Sequence, residues 1–276
     1  MAENNIKKKK IKKSDIPFII GAVIGIALFV YPIAGNMYYK YQFAKVNKNF
    51  ENVVQRMGES EIDRKIELAE EYNKELDRNE EISIDGADIS AAKKEYIKMM
   101  KSKQRIGYVE IPKIGQKMAI YLGTNEDVLE IGAGHMPSTS LPIGGKGNHS
   151  VIVGHSGLPK KLMFTGIRSL RAGDVFFIRN VKGKMAYKVD RIEVVKPDDF
   201  SKLIRIHGKD YCTLMTCTPY MINTHRLLVR GERTDYNKAV KESLKKKILF
   251  LITVAIVITL IAVVIKTYKN KKIKIS

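Results

Sequence analysis

The sequence predicts a mainly β domain, either a barrel or a sandwich, which follows a helical region and lies between two apolar segments. From residue 105 onward, short runs rich in β-branched and aromatic residues alternate with turns that contain Gly or Pro. Before that point, apolar residues recur at helical spacing over residues 62–76. Near each end of the chain, an apolar segment is about long enough to cross a lipid bilayer.

Seven runs with strand-like composition predict the sheet, at residues 106–111, 118–122, 150–154, 174–179, 184–195, 211–217 and 226–231. Short helical turns are predicted at residues 125–131 and 159–170. The glycine-rich residues 132–148 lack the Gly-Lys-Ser/Thr ending of a phosphate-binding loop, and they precede a strand instead of a helix. We therefore predict a structural loop there.

Two helices are predicted before the β region. Ser60 and Asp63 have the spacing of a capping box, so a helix is expected to begin at Ser60. Residues 91–103 predict a second, shorter helix. Residues 79–90, between the two, have no strong pattern and predict a loop.

The first apolar segment, residues 16–35, follows a tail at residues 1–15 with six lysines, and the second, residues 248–265, precedes a tail at residues 266–276 with five lysines. Because basic tails stay inside, both are expected to be cytoplasmic, with residues 40–245 outside. Lys245, Lys246 and Lys247 lie on the outer side of the second segment, which opposes this topology. The lysines of the two tails outnumber them. A secretory signal would begin in the same way, but no convincing cleavage site follows, so we predict an uncleaved anchor.

The formal charge of +20 would suit a nucleic acid or an anionic surface. Its concentration next to apolar segments favours a membrane, and no basic-aromatic module for nucleic acid is present, so nucleic-acid binding is not expected. None of the five histidines has a spacing typical of metal sites, and no metal site is predicted.

Cys217 ends one predicted strand and Arg226 begins the next. If the two strands pair, the thiol and the guanidinium come close together, and a neighbouring cation favours the nucleophilic thiolate. Cys212 lies on the opposite face and is predicted to be a small core residue. The alternative for the pair, from these residues alone, is a buried cysteine and a surface arginine.

Three segments resemble the sortase family, most of all class C, the pilin-polymerising branch. TLMTCTPYMINTHRLLVRG, residues 213–231, resembles its active-site segment. GYVEIPKIGQKMAIYLGT, residues 107–124, resembles the opening hairpin of its barrel, and VIVGHSGLPKKLMFTGIRSLRAGD, residues 151–174, resembles the segment around its catalytic histidine. The resemblance implies a sortase-like closed eight-stranded β-barrel at residues 105–235, a helical stalk and possible lid region at residues 36–104, and two flanking transmembrane helices.

Carried over residue by residue, the resemblance makes His155, Cys217 and Arg226 the catalytic residues. It implies a membrane-anchored cysteine transpeptidase without a cofactor, at the cell membrane of a Gram-positive-type bacterium. The enzyme would cleave an LPxTG-like sorting signal of an exported pilin or surface protein between Thr and Gly, through a thioester on the cysteine. The acyl group would then join an amine, which is a pilin lysine in class C.

Three alternatives remain open at this stage. The acceptor could be a cell-wall peptide amine, the protein could be a membrane-tethered cysteine hydrolase, or it could be a non-catalytic membrane scaffold. Class C sortases usually have a lid with an Asp-Pro-aromatic motif, but residues 79–90 contain no Asp-Pro pair. Asp85 and Asp88 are the nearest candidates. Among the other histidines, His135 could support the cleft, and His225 is expected to point away from Arg226.

Overall fold

The computed structural model describes residues 16–76, 91–101, 104–156 and 163–275. Eight strands form a closed barrel in the order β1-β2-β3-β4-β7-β8-β6-β5, which confirms the predicted barrel. The strands are β1 (Arg105–Ile111), β2 (Gln116–Leu122), β3 (Ala133–His135), β4 (Asn148–Val153), β5 (Val175–Arg179), β6 (Lys184–Val195), β7 (Asp210–Thr218) and β8 (His225–Thr234). The possible lid carboxylates, Asp85 and Asp88, and the basic tail at residues 1–15 lie outside the described residues.

In the described parts of the chain, five α-helices accompany the barrel: α1 (Ile16–Arg56), α2 (Glu59–Glu75), α3 (Ala91–Lys101), α4 (Glu126–Leu129) and α5 (Tyr236–Ile275). Helix α2 begins one residue before Ser60, and its N-cap is Gly58, which offers no capping side chain. The predicted capping box at Ser60 is therefore wrong. Within the described ranges, no helix reaches the combination of length and apolarity that crossing a membrane requires. The two membrane segments stay predictions from the sequence.

Strand β3 lies inside the glycine-rich segment that the sequence predicted as a loop. It pairs in parallel with β2, Ile120 opposite Ala133, and antiparallel with β4, Gly134 opposite Val153. The backbone at Gly134 comes so close to Gly123 that an added Cβ would lie 2.2 Å from the Gly123 carbonyl oxygen. Glycine is required there by close packing of the backbone, and the same glycine content hid the strand from sequence patterns.

The barrel interior holds one large apolar cluster that includes Phe164, Phe176 and Tyr187. From β7 it receives Cys212 and Leu214, whereas Met215 belongs to a second cluster with Val151, Val195, Leu203 and Leu228. This division follows the period-2 alternation predicted for β7, in which Cys212 and Met215 face opposite sides. The face of β7 with Cys212 and Leu214 thus packs into the barrel interior, whereas Cys217 lies on the same face as Met215.

The second half of α1 packs along the outside of the barrel. Near the start of β2, Asn47 donates to the Lys117 carbonyl oxygen at 3.2 Å. Further along α1, Val54 packs with Tyr108 and with Val181, which follows the end of β5. Because β2 starts and β5 ends at opposite ends of the barrel, α1 runs from the end where β7 finishes toward the end where β7 begins. Its apolar residues 16–35 therefore extend beyond the end where β7 finishes.

Helix α5 runs along the barrel in the opposite direction. It starts beside Phe177, with which Tyr236 makes an edge-on ring contact, and Lys246 then donates to Asp174 at 3.0 Å, just before β5 begins. Burial works to raise the pKa of Asp174, but bonds from Lys113 and Lys246 outweigh it and hold that pKa below its ordinary value. Residues 248–265 of α5 thus leave the barrel at the same end as residues 16–35 of α1.

Candidate active site

Three neighbouring strands, β4, β7 and β8, bring the predicted site residues to one end of the barrel. In the antiparallel pair of β7 and β8, Cys217 lies directly opposite Arg226. Their Cβ atoms are therefore about 5 Å apart on the same face. In the parallel pair of β4 and β7, Val153 lies opposite Met215, and His155 follows two residues beyond the end of β4, at the same end of the barrel as Cys217.

Two hydrogen bonds extend the alignment of β4 and β7 beyond the end of the ladder. The Gly154 amide donates to the Met215 carbonyl oxygen at 3.0 Å, and the Thr216 hydroxyl donates to the Gly154 carbonyl oxygen at 2.6 Å. An added Cβ at Gly154 would lie 2.6 Å from the ring of Phe164, so only glycine fits against this core residue. The backbone that carries His155 is therefore fixed on one side by β7 and on the other by the core.

Cys217 has a free, half-buried thiol, whereas the thiol of Cys212 is free and fully buried. Burial raises the pKa of Cys212 well above its ordinary value, so this thiol stays protonated and unreactive. Cys217, at the rim of the barrel, is thus the cysteine that a substrate can reach. The sequence prediction that Cys212 is a core residue is confirmed.

Arg226 is held by the loop between β7 and β8. Its Nη1 donates to the carbonyl oxygens of Asn223 and His225, each at 3.2 Å. Asn223 has a φ of 62° and Met221 a φ of 63°, so the loop adopts the left-handed conformation twice. These turns bring the chain back from Cys217 to Arg226. Besides Nη1, the half-buried guanidinium carries N–H donors on Nε and Nη2.

His155 contacts a carboxylate that the sequence did not single out. Its Nε2 lies 3.1 Å from Oε1 of Glu126 on α4. The imidazole is 20% exposed and the carboxylate 71% exposed, so the pair is worth little as a salt bridge. In this contact the Nε2 edge of the His155 ring faces Glu126.

Arg168, on the 3₁₀ turn Thr165–Ser169, is the second residue that the sequence did not single out. Its Nη2 donates to the Ser156 hydroxyl and, at 3.2 Å, to the carbonyl oxygen of Cys217. Its guanidinium carbon lies 5.1 Å from the ring centroid of Tyr220. The only signal for Arg168 in the sequence was its place within residues 151–174, which resemble the segment around a catalytic histidine.

Two other histidines are structural. His135 is fully buried on β3, where its Nε2 lies 2.9 Å from the Ser140 carbonyl oxygen and its Nδ1 lies 3.1 Å from the Tyr96 hydroxyl. A neutral ring with the proton on Nε2 satisfies both partners. Burial lowers the pKa of His135 to about 4. His149 is also buried, and burial lowers its pKa as well.

We expect the stability of the fold to fall as the pH drops from 6.5 to 4. Unfolded His135 takes up a proton near pH 6.5, whereas folded His135 does so only near pH 4, so the unfolded state binds more protons between these values. The loss from His135 alone should amount to about 3 kcal/mol. Urea unfolding at several pH values measures it, and His135→Gln should flatten the slope.

The exposed His207 provides the control for this measurement. His207→Gln should leave the pH slope of stability unchanged. The buried His149 contributes a slope of the same sign in every variant, so the comparison uses the difference between wild type and His135→Gln. An identical slope in those two proteins would contradict the assignment of a neutral His135.

Comparisons with known proteins point to one family. The sortase domain family matches residues 109–234. The crystal structure of sortase C1 from Streptococcus suis is 48% identical, with a TM-score of 0.56, over 61% of this chain and 95% of that chain. The structure of Clostridium perfringens sortase C with the C-terminal cell wall sorting motif is 38% identical, with a TM-score of 0.61, over 70% of this chain and 99% of that chain.

Among curated proteins, sortase A from Bacillus anthracis is 31% identical over 130 residues, which are 47% of this chain and 60% of that protein. The chain thus spans less than two thirds of the length of the curated relatives that it matches. Residues 109–234, which match the sortase domain family, include His155, Cys217 and Arg226.

Proposed function

The chain belongs to the sortase family, and we propose that it is a cysteine transpeptidase of the class C type. The observation that supports this proposal is the register of β7 and β8, in which Cys217 pairs with Arg226, while His155 follows the end of β4 at the same end of the barrel. A thiol, an imidazole and a guanidinium at one open rim supply a nucleophile, a proton carrier and an anion-stabilising group.

In the first half-reaction, the Cys217 thiolate attacks the carbonyl carbon of Thr in an LPxTG-like sorting signal. The carbonyl oxygen becomes an oxyanion, to which Arg226 donates hydrogen bonds. When the intermediate collapses, the C–N bond to Gly breaks and the His155 imidazolium protonates the departing amine. A thioester between Cys217 and the Thr carbonyl remains.

In the second half-reaction, an amine attacks the thioester carbon. Neutral His155 accepts the proton of the amine, an amide bond forms, and the Cys217 thiolate leaves. The acceptor we propose is a lysine amine of an exported pilin, because the similar solved structures are sortases of class C at 38–48% identity. A cell-wall peptide amine or water would use the same first half-reaction, so the acceptor is a separate question for experiment.

The test is intact-mass spectrometry of the full chain in detergent micelles, incubated with an LPxTG-type peptide. We expect an adduct equal to the peptide acyl fragment ending at Thr. Adding a lysine-containing pilin peptide should release the adduct as an amide-linked product. If only free acid forms while the pilin peptide is in excess, the protein is a hydrolase and the transpeptidase proposal fails.

We also place the protein in the cell membrane of a Gram-positive-type bacterium, with residues 16–35 and 248–265 as its anchors. The directions of α1 and α5 support this placement, because both apolar segments leave the barrel at the end that carries Cys217. The catalytic end would then face the outer surface of the membrane. An epitope tag at either terminus should become accessible to antibody only after the cells are permeabilised; a tag accessible in intact protoplasts would contradict this topology.

A further inference from the structure

The guanidinium of Arg168 contacts all three segments that carry the proposed catalytic residues. Its Nη2 donates to the hydroxyl of Ser156, the residue after His155, and to the carbonyl oxygen of Cys217 itself at 3.2 Å. Its guanidinium carbon lies 5.1 Å from the ring centroid of Tyr220, in the loop that leads from Cys217 to Arg226. One side chain thus joins the ends of β4 and β7 and the loop before β8.

The turn that carries Arg168 is fixed by the barrel core. Ile167 and Leu170, on either side of it, are fully buried, and the Leu170 amide donates to the Ile167 carbonyl oxygen at 3.0 Å. The side chain therefore starts from a rigid base and reaches outward to the rim. A rigid base matters, because a flexible one would not transmit a fixed position to Cys217.

Arg168 is also partly desolvated. Its Nε is buried and has no hydrogen-bond partner within the described part of the chain. A buried N–H without a partner costs free energy, and an apolar residue of similar size would avoid that cost. The bonds to Ser156 and Cys217 give a reason for a guanidinium at this position.

We propose that Arg168 is a positioning residue, which holds the backbone of Cys217 and the chain after His155 at a fixed separation. This inference rests on the proposed function of the site. Arg168 bonds to a carbonyl oxygen and a neighbouring hydroxyl, so it acts on the reaction through the thiol and the imidazole and not by touching the reacting atoms. Proton transfer between these two groups depends on their separation, and a misplacement of about 1 Å can cost about a hundredfold in rate.

Arg168→Leu removes both hydrogen bonds and keeps an apolar side chain whose bulk is similar to that of the aliphatic part of arginine. We expect kcat/KM for transpeptidation to fall about a hundredfold, mainly through kcat, because substrate contacts are retained. Arg168→Lys should recover part of the loss, because an ammonium can bond to one acceptor but cannot reproduce the planar fork. Full chains in detergent micelles are compared below their unfolding temperatures.

The matched control is Arg171→Leu, three residues further along the chain. The Nη1 of Arg171 donates only to the local carbonyl oxygens of Arg168 and Leu170, at 3.0 Å and 2.8 Å, and the side chain is exposed. Its replacement should leave kcat/KM within threefold of wild type, roughly the scatter expected of a surface change. Equal losses in Arg168→Leu and Arg171→Leu would show a general loosening of the segment and would overturn the proposal.

A second readout needs no peptide and so separates this inference from the proposed function. The rate at which iodoacetamide alkylates Cys217 is measured against pH in the wild type and in each variant. If Arg168 sets the separation of thiol and imidazole, the pH profile of Arg168→Leu should move, and that of Arg171→Leu should match the wild type. Unchanged profiles in folded Arg168→Leu and Arg168→Lys would overturn the inference. Should Arg168→Leu not fold, Arg168→Lys alone decides, with a displaced profile supporting the inference.

Discussion

Alanine in place of Cys217 should abolish both the acyl adduct and all turnover of an LPxTG-type peptide. The thiol is the only atom at the rim that can form the thioester, since the other cysteine, Cys212, is fully buried. The methyl group of alanine cannot carry the acyl group. No thioester forms, so the second half-reaction has no substrate. Intact mass reports the adduct, and chromatography of the peptide products reports turnover.

The control for this substitution lies on the same strand. Cys212→Ala removes a core sulfur atom and should lower the free energy of unfolding by about 1 kcal/mol. It should leave the adduct and the turnover intact, because Cys212 faces the barrel interior, away from Cys217. Turnover by a folded Cys217→Ala protein, or loss of the adduct in a folded Cys212→Ala protein, would disprove the proposed nucleophile.

The sequence predicted seven of the eight strands because each contains a short run of β-branched and aromatic residues between turns. It missed β3 because a strand of three residues, with Gly134 in its middle, has no readable alternation. What defines β3 is its position between β2 and β4, where the close approach to Gly123 leaves no room for a side chain. Contacts of this kind depend on residues distant in the chain.

The candidate site, too, could be predicted from the sequence only in part. Cys217 and Arg226 belong to consecutive strands that pair through one loop, so a local pattern was enough to suggest that they meet. His155 comes to the same end of the barrel through the parallel pairing of β4 and β7, which no local pattern reveals; its assignment came from resemblance. Glu126 and Arg168 reach the site from two further elements, and only the three-dimensional arrangement shows their contacts.

Lysine in place of Arg226 should lower kcat/KM by about a hundredfold to a thousandfold, although the positive charge is kept. In the pairing of β7 and β8, Arg226 lies opposite Cys217, and its Nη1 donates to the carbonyl oxygens of Asn223 and His225. A planar fork held in this way can present its remaining donors to the oxyanion in a fixed direction, whereas the lysine ammonium is a mobile point charge. Removing one oriented hydrogen-bond donor to an oxyanion lowers the rate of acyl transfer by about a hundredfold to a thousandfold.

Arg230→Lys is the matched control for that loss. Arg230 lies on the same strand as Arg226, but its guanidinium is engaged by Asp190 and lies 4.1 Å from the ring centroid of Tyr211. Its replacement should reduce stability slightly and leave the rate of adduct formation unchanged. Single-turnover measurement of the adduct compares the two variants directly. If Arg226→Lys forms the adduct as fast as Arg230→Lys does, a positive charge alone suffices, and the oriented donors of Arg226 play no part in stabilising the oxyanion.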